Sequence, residues 1–240
     1  MTRAPLAALL LASSLTLAAD PAIAPFSTRA PSATLPAPWK MQKVPHAQAS
    51  ELGLVADEGV TVLRAHAANA AGAAIHATRH SAEGATLAWR WKVDRAVGTA
   101  DMDTRQGDDF AARVYVFFDV PVEAVPISQR VKMKLARLLY GAELPTAAIC
   151  YVWDNRHAPG TSRWSPYTER VRIVVLENAS DAGRWKEEVR DVAADFRAAF
   201  GAQWRGPLPA VTGVAVGNDT DQTRETVTAW FGDVHLESRP

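Results

Sequence analysis

Residues 89–119 read WRWKVDRAVGTADMDTRQGDDFAARVYVFFD, and this stretch decides the fold class that the sequence predicts. Two runs in and beside it, Leu87–Val93 and Phe110–Phe118, alternate their side chains with the period of two that is typical of β-strands. Trp89 and Trp91 share one face of the first run, and such large apolar side chains indicate a buried core. The loop between the two runs is rich in aspartate.

Similar short runs recur along the rest of the chain, with turn residues between them. They lie at Val60–Ala67, Ala74–His80, Thr86–Val93, Phe110–Asp119, Ala147–Trp153, Arg170–Leu176, Val211–Val216 and Thr226–Leu236. Few of these runs are joined by helical segments, which argues against a parallel α/β sheet. The sequence therefore predicts an all-β fold, a β-sandwich or jelly roll.

Two segments have the apolar spacing of an amphipathic α-helix. Ser128–Tyr140 repeats Val and Leu on one stripe before Gly141, and Arg184–Phe200 repeats Trp, Val and Phe at spacings of four and three before Gly201. Glycine commonly follows the last turn of a helix. We expect two α-helices, each packed through its apolar stripe on the sandwich.

The composition indicates a globular protein without a strong overall electric field. The chain has 240 residues, 26 basic and 26 acidic side chains, eight tryptophans and 48% hydrophobic residues. A balanced charge gives no general attraction to nucleic acid or to a membrane surface, so we expect no nucleic-acid partner. Cys150 is the sole cysteine, lies in an apolar run and is interpreted as a buried small hydrophobe.

The N-terminus has the pattern of a secretory signal peptide. Arg3 precedes the apolar stretch 6–17, and Ala18–Ala19 supplies a small-residue cleavage site. The alternative, an uncleaved anchor, is disfavoured because the apolar stretch is short for a bilayer. We expect residues 1–19 to be a signal peptide, the protein to be periplasmic or secreted, and no integral membrane segment to remain after cleavage.

The rest of the chain is predicted to form one folded domain preceded by a short N-terminal segment. Residues 20–38 are rich in proline, which indicates an extended linker or a strap lying over the domain. Residues 39–240 are predicted to form a single β-sandwich domain, a size that suits one all-β fold.

Several motifs together resemble a known family. They are WRWKVD (Trp89–Asp94), GDDFAARVYVFF (Gly107–Phe118), YVW (Tyr151–Trp153), RDVAADFRAAFG (Arg190–Gly201), and GVAVGNDTDQT with AWFGDV (Gly213–Val234). In this order, from about Trp39 to Leu236, the chain resembles the domain of unknown function DUF3047. That resemblance implies no catalytic residues. The C-terminal strands are also similar to the closing strands of jelly-roll carbohydrate-binding modules, which implies sugar binding and a structural calcium.

Basic and aromatic side chains alternate with apolar ones in several of the predicted strands. If these strands belong to one sheet, they line a single surface of Arg90, Lys92, Arg113, Tyr115, Tyr151, Trp153 and Arg172. Guanidinium groups bind carboxylates and phosphates, and aromatic rings provide stacking platforms. The predicted function is non-catalytic binding of a carbohydrate or an anionic polymer. The alternative for the same residues is a solvated face, or structural ion pairs of Arg113 and Arg172 with Asp108 or Asp109.

Two other functions stay open. A polysaccharide lyase would use Tyr115 or Tyr151 as a base beside Arg113, and a glycoside hydrolase would need two carboxylates such as Asp109 and Glu169. A structural envelope protein without a small ligand is the third possibility. The sequence contains no HExxH, no GxSxG and no phosphate-binding glycine loop, which excludes the enzyme classes that those motifs define.

Aspartates at alternate positions form candidate metal ligands. Asp219 and Asp221 flank Thr220, and Asp233 lies near the end of the last predicted strand. Carboxylate oxygens are the ligands that calcium prefers, although neither this pair nor the pair Asp101 and Asp103 matches an EF-hand loop. No cofactor is predicted beyond a structural calcium ion, for which Asp219, Asp221 and Asp233 are the candidate ligands.

Overall fold

The structure is a computed structural model that describes residues 22–121, 123, 130 and 146–238. The predicted signal peptide at 1–19 lies outside these residues. So does the predicted helix Ser128–Tyr140, apart from Arg130.

Fourteen β-strands account for about half of the described residues. They are β1 (Lys40–Lys43), β2 (Gln48–Ala49), β3 (Glu51–Asp57), β4 (Val60–Ala68), β5 (Ala70–His80), β6 (Ala85–Val93), β7 (Phe110–Phe118), β8 (Ala147–Trp153), β9 (Ser162–Ser165), β10 (Thr168–Glu177), β11 (Lys186–Asp191), β12 (Val211–Asp219), β13 (Thr226–Phe231) and β14 (His235–Ser238).

The strands form two sheets. An eight-stranded sheet has the order β1-β5-β12-β7-β8-β10-β9, with β2 also paired to β5. A six-stranded sheet has the order β11-β6-β13-β4-β3, with β14 also paired to β6. Most pairs are antiparallel, and β8–β10 and β2–β5 are parallel. The predicted all-β sandwich is confirmed.

Aromatic side chains from the two sheets meet in the core. Trp91 of β6 lies 5.6 Å from Trp153 of β8, measured between ring centroids, and Trp89 lies 5.3 Å from Tyr151. All four are at most 3% exposed. Each such ring removes roughly 150–250 Å² from water, which at about 25 cal/mol per Å² corresponds to roughly 4–6 kcal/mol. The strand pattern that placed Trp89 and Trp91 in the core is confirmed.

The first half of the predicted helix Arg184–Phe200 is wrong. Lys186–Asp191 is the strand β11, paired with β6, and the α-helix α1 (Val192–Phe200) begins only after it. Asp191 caps this helix, because its Oδ1 accepts the N–H of Ala194 at 2.9 Å. A spacing of four residues repeats on one face of a strand as well as on one face of a helix, so the apolar spacing alone could not separate the two.

Only the second half of that apolar stripe packs as predicted. Val192, Phe196 and Phe200 of α1 are buried, whereas Val189 of β11 is 67% exposed. A 3₁₀ turn at Ala179–Asp181 precedes β11. Among the described residues, no helix has the length and apolar character needed to cross a membrane.

The described part of the proline-rich segment, residues 22–38, lies over the sandwich. Ile23 and Phe26 are buried, and the Phe26 ring lies 4.7 Å from that of Trp39. Asp233 holds this segment, since its Oδ1 accepts the N–H groups of Phe26 at 2.6 Å and Ser27 at 2.9 Å. This segment therefore packs as a strap on the domain.

Gly217 gives a test of how closely the central strands approach each other. A Cβ atom at this position of β12 would lie 2.2 Å from the carbonyl oxygen of Gly72, which is backbone and cannot move aside alone. We expect Gly217→Ala to lower the free energy of unfolding by about 2 kcal/mol, as measured by urea denaturation.

The control for this prediction is Gly98→Ala. There a Cβ atom would lie 3.7 Å from the nearest atom, Oε1 of Glu225, which is an ordinary contact. We expect a change within about 0.5 kcal/mol. Equal losses in both variants would show that β5 and β12 are not this close.

Candidate functional site

The predicted ligand-binding residues do not share one surface. Arg90 and Lys92 are on β6 of the six-stranded sheet, whereas Arg113 and Tyr115 are on β7 of the eight-stranded sheet. Because the inner faces of both sheets are filled by the core, the two pairs point away from each other on opposite sides of the sandwich. The prediction assumed that these strands pair in one sheet.

Tyr151 and Trp153 point into the core. In the register of β7 with β8, Tyr151 lies opposite Val114, which is buried between the sheets, while Cys150 lies opposite Tyr115 on the outer face. Tyr151 and Trp153 are fully buried, so neither can stack on a ligand.

Arg172 is also on the inner side, at the sheet edge. Its guanidinium lies 4.8 Å from the centroid of the Trp164 ring, and its Nε donates to Oγ of Ser162 at 2.6 Å. These partners replace the predicted ion pair with Asp108 or Asp109. Arg172 therefore supports the strand pair β9–β10 and does not join either outer surface.

The interior location changes what Tyr151 can do. Its hydroxyl donates to Oδ2 of Asp195 at 2.7 Å, and Arg190 forms a bidentate ion pair with the same carboxylate. Burial, followed by the negative charge of Asp195, raises the pKa of Tyr151 well above its ordinary value. A general base must lose its proton near neutral pH, which this environment opposes.

The outer face of the six-stranded sheet carries two indole rings among three cations. We call this surface, formed by Arg64, Arg90, Lys92, Trp185 and Trp230, the tryptophan–cation face. Lys92 Nζ lies 5.0 Å from the ring centroid of Trp185 and 5.0 Å from that of Trp230. Arg90 Cζ lies 4.5 Å from the Trp185 centroid. These distances are within the range of cation–π attraction.

Strand register aligns part of this face in a row. Lys92 of β6 lies opposite Trp230 of β13, Trp230 lies opposite Arg64 of β4, and Arg64 lies opposite Gly53 of β3. Neighbouring strands are about 4.8 Å apart, so the row from Lys92 to Arg64 extends roughly 10 Å across the sheet.

Two of the three cations on this face form no salt bridge within the part of the chain that the structure describes. Lys92 forms an ion pair with Asp57. Neither Arg64 nor Arg90 forms a salt bridge with any residue in the described ranges. Gly232 leaves the space that the Arg90 side chain occupies, because a Cβ atom there would lie 2.6 Å from Arg90 Cγ. The face therefore presents two guanidinium groups that form no salt bridge among the described residues beside its indole rings, with Glu187 of β11 opposite Arg90 in the strand register.

A shallow groove continues from the row toward the strap. Its volume is about 740 Å³, and it is lined by Pro31, Ser32, Ala33, Glu51, Leu52, Gly53, Leu54, Val55 and Arg64. This volume lies in the range of roughly 300–1,000 Å³ that is usual for small-molecule sites. Arg64 belongs both to the groove and to the tryptophan–cation face, so the two form one continuous surface.

Sequence reasoning missed Trp185 and Trp230. The apolar spacing predicts that Trp185 lies on the stripe of a helix, whereas the segment that follows it is the strand β11. Trp230 had a usable signal, because the run Thr226–Phe231 alternates Val227, Ala229 and Phe231 with polar residues, which places Trp230 on the polar side.

The outer face of the eight-stranded sheet has a different character. Arg113 is 6% exposed and fully neutralised: its Nε donates to Oδ1 of Asp219 at 2.8 Å, and its NH2 lies 2.6 Å from Asp219 Oδ2 and 3.3 Å from Asp108 Oδ1. This matches the alternative in which Arg113 is a structural ion-pair partner. It is not available to hold an anionic ligand.

A small groove lies beside Arg113. It has a volume of about 180 Å³, and its mostly apolar lining includes Ile75, Tyr115, Phe117 and Ala215. The rings of Tyr115 and Phe117 stack with centroids 5.7 Å apart. Burial raises the pKa of Tyr115 well above its ordinary value. Tyr115 is therefore as poorly suited as Tyr151 to the predicted lyase base.

The predicted metal ligands do not all come together. Asp219 and Asp221 form a group with Asp109, in which one carboxylate oxygen from each residue lies within 4.8 Å of the others. Asp233 is not part of this group and instead binds the strap through Phe26 and Ser27. Burial raises the pKa of Asp219 to about 7, against the opposing effect of Arg113.

The comparison of the sequence with family models decides which family this is. The model described as "Protein of unknown function (DUF3047)" matches residues 37–235. The chain belongs to the DUF3047 family. No curated protein matches the DUF3047 chain.

Several solved structures are similar to the DUF3047 chain at low identity. A family 12 xyloglucanase from Bacillus licheniformis is 9% identical, with a TM-score of 0.45, over 92% of this chain and 100% of that one. The xyloglucanase domain of NopAA from Sinorhizobium fredii, solved with cellobiose, is 8% identical, with a TM-score of 0.42, over 84% and 93%. The K1 cleaved adhesin domain of Lys-gingipain from Porphyromonas gingivalis is 8% identical, with a TM-score of 0.38, over 93% and 100%.

The DUF3047 chain also holds a pair of glutamates at the edge of the core. Glu188 points inward from β11, where its Oε1 accepts the indole N–H of Trp91 at 3.2 Å. Burial, followed by the negative charge of Glu177, raises the pKa of Glu188 to about 7, and Arg190 opposes this. Lys186 pairs with Glu177 at 3.2 Å and leaves Glu188 without an ion pair among the described residues.

This arrangement predicts a pH dependence of stability. The ordinary pKa of a glutamate is 4.5, so between 4.5 and about 7 folded Glu188 keeps a proton that the unfolded chain has lost. The free energy of unfolding therefore falls as the pH rises through this window. We expect Glu188→Gln to be nearly neutral below pH 4.5 and to stabilise by about 1 kcal/mol at about pH 8, less than the full shift because the carboxyl is partly exposed.

Urea denaturation across this pH range measures the effect. Glu187→Gln, on the exposed side of the same strand, is the matched control and is expected to leave the slope unchanged. If Glu188→Gln also left the slope unchanged, the carboxyl of Glu188 would be solvated in the folded protein.

Proposed function

We propose that this DUF3047 protein binds an acidic carbohydrate on the tryptophan–cation face without changing it chemically. The observation that carries the proposal is the position of Lys92 between Trp185 and Trp230, with Arg90 and Arg64 beside them and in no salt bridge with a described residue.

The chemistry of this face suits rings that carry negative charge. Indole rings offer flat apolar surfaces against which the C–H face of a sugar can pack. Guanidinium groups bind carboxylates through two parallel hydrogen bonds. Arg64 and Arg90 can supply this interaction, because no described acidic residue engages them. A neutral sugar would use the rings alone and leave both charges unmatched.

The shape of the surface favours a chain over a single small molecule. The row from Lys92 to Arg64 crosses three strands and opens into the groove of about 740 Å³ beside the strap. An open, elongated surface can contact several residues of a polymer, and each contact adds to the affinity.

A non-catalytic role agrees with the positions of the residues considered for chemistry. Tyr115 and Tyr151, the possible lyase bases, both have a pKa raised well above the ordinary value. Asp109, considered for hydrolysis, is completely buried. None of these groups is on the tryptophan–cation face. We also propose, from residues 1–19, that the protein is exported, which would bring this face into contact with extracellular or envelope polysaccharide.

Trp230 and Arg90 allow a direct test. We expect isothermal titration calorimetry to detect binding of a polyuronate, and we expect Trp230→Ala and Arg90→Ala each to weaken it at least about tenfold, or about 1.4 kcal/mol. Arg90→Ala is expected to reduce the salt dependence of binding as well, whereas Trp230→Ala is not, because only the first removes a charge.

Matched controls come from the opposite side of the sandwich. Tyr167→Ala and Arg163→Ala remove an exposed ring and an exposed guanidinium near β9, and both are expected to bind as the unchanged protein does. Binding that survives Trp230→Ala and Arg90→Ala in folded protein would exclude this face. Release of unsaturated uronates or new reducing ends from the polyuronate would favour the enzyme instead. If the protein bound no polysaccharide, a structural role in the cell envelope would be the remaining hypothesis.

A further inference from the structure

A second surface, on the opposite sheet, has the features of a cation site. We propose that Asp109, Asp219 and Asp221 bind a divalent cation of the calcium class between the start of β7 and the loop that follows β12. This site is independent of the proposed carbohydrate-binding face.

The fold brings the three carboxylates together from distant parts of the sequence. Asp109 directly precedes β7, Asp219 is the last residue of β12, and Asp221 follows it in the loop to β13. Pairing of β7 with β12 places Phe110 opposite Asp219, so the entry of one strand meets the exit of the other. The three side chains are therefore held by the sheet itself.

The three carboxylates are close enough to contact one ion. One carboxylate oxygen from each residue lies within 4.8 Å of the other two. Oxygen ligands lie about 2.4 Å from calcium, so two ligands of one calcium ion are at most roughly 4.8 Å apart. Calcium accepts irregular sets of six to eight oxygens, whereas magnesium demands near-octahedral geometry and gives up its water reluctantly.

Asp109 contributes an independent observation. Its side chain is completely buried, and its Oδ2 accepts the N–H groups of Gln222 at 3.1 Å and Thr223 at 2.6 Å, which directs the carboxylate toward the loop that holds Asp221. No donor in the described residues reaches its other oxygen, Oδ1. A buried carboxylate oxygen without a partner is costly, and a bound cation would satisfy it. The buried hydroxyl of Thr223, whose backbone N–H donates to Asp109, is likewise without a hydrogen-bond partner among the described residues.

The local charge also favours a cation. Asp108, Asp109, Asp219 and Asp221 interact electrostatically with one another, and Arg113 is the one basic side chain in ion-pair contact with the group among the described residues. One guanidinium offers a single positive charge to four neighbouring carboxyl groups. A divalent ion would remove most of the remaining negative charge.

The ligand chemistry selects the ion. The three residues offer only oxygen, and hard cations prefer oxygen, whereas zinc favours histidine and cysteine ligands. Because the ion would join β7 to the β12–β13 loop in the folded chain only, binding should stabilise the fold.

Calcium titration of chelator-treated protein tests the proposal. With calcium chloride at about 10 mM, well above the roughly 10⁻⁴–10⁻³ M dissociation constants of extracellular calcium modules, we expect the melting temperature to rise by about 5–10 °C. We expect one ion to bind per chain by calorimetry, and we expect magnesium at the same concentration to raise the melting temperature less.

Two variants locate the site. Asp221→Asn, which changes a partly exposed residue, is expected to weaken calcium binding at least about tenfold while the protein stays folded. Asp103→Asn removes an exposed aspartate from the neighbouring loop and is expected to bind calcium normally. Asp109→Asn should raise stability without calcium and abolish the calcium response, because it keeps the acceptor for Gln222 and Thr223 and removes a buried charge.

The outcomes are distinct. No calcium-dependent shift in the unchanged protein would overturn the proposal, as would a full calcium response in both Asp221→Asn and Asp109→Asn. Neither result bears on polyuronate binding at the tryptophan–cation face, which is measured separately in the presence of chelator.

Discussion

The interlocking of aromatic rings between the sheets is the constraint on which the rest of the structure depends. Trp89 and Trp91 of β6 meet Tyr151 and Trp153 of β8, and these rings fill the centre of the sandwich. Because side chains alternate along a strand, fixing these four inward also fixes their neighbours outward. Arg90 and Lys92 must then face solvent on one side, and Cys150 must lie on the outer face of the other sheet.

The two outer faces consequently carry different arrangements of charge. On the six-stranded sheet, Arg64 and Arg90 lie beside indole rings without acidic partners among the described residues. On the eight-stranded sheet, Arg113 is surrounded by more carboxylates than it can neutralise. The balanced total of 26 basic and 26 acidic residues conceals this separation. One face is therefore suited to an anionic ligand and the other to a cation, and the two proposals rest on different residues.

Predictions from the sequence were reliable where one structural period explained the pattern. The strands around Trp89 and Phe110 alternate clearly, so both their existence and their buried faces could be predicted. The segment 184–200 was ambiguous, because a spacing of four satisfies a strand and a helix alike. Pairing with β6 decides in favour of a strand up to Asp191, and the Asp191 cap then starts the helix. For this reason the sequence pattern puts Trp185 on a helix and not on the tryptophan–cation face.

The sequence by itself determined the all-β class, the core tryptophans and the kinds of side chain that can bind a ligand, since these follow from local alternation and side-chain chemistry. Only the tertiary structure decided which of those side chains meet. It placed β6 and β7 in different sheets and turned Tyr151 and Trp153 inward. It also put Asp109 in the place predicted for Asp233 beside Asp219, and brought Trp185 and Trp230 to either side of Lys92. Strand pairing between residues far apart in the chain sets these neighbours, and no local pattern records it.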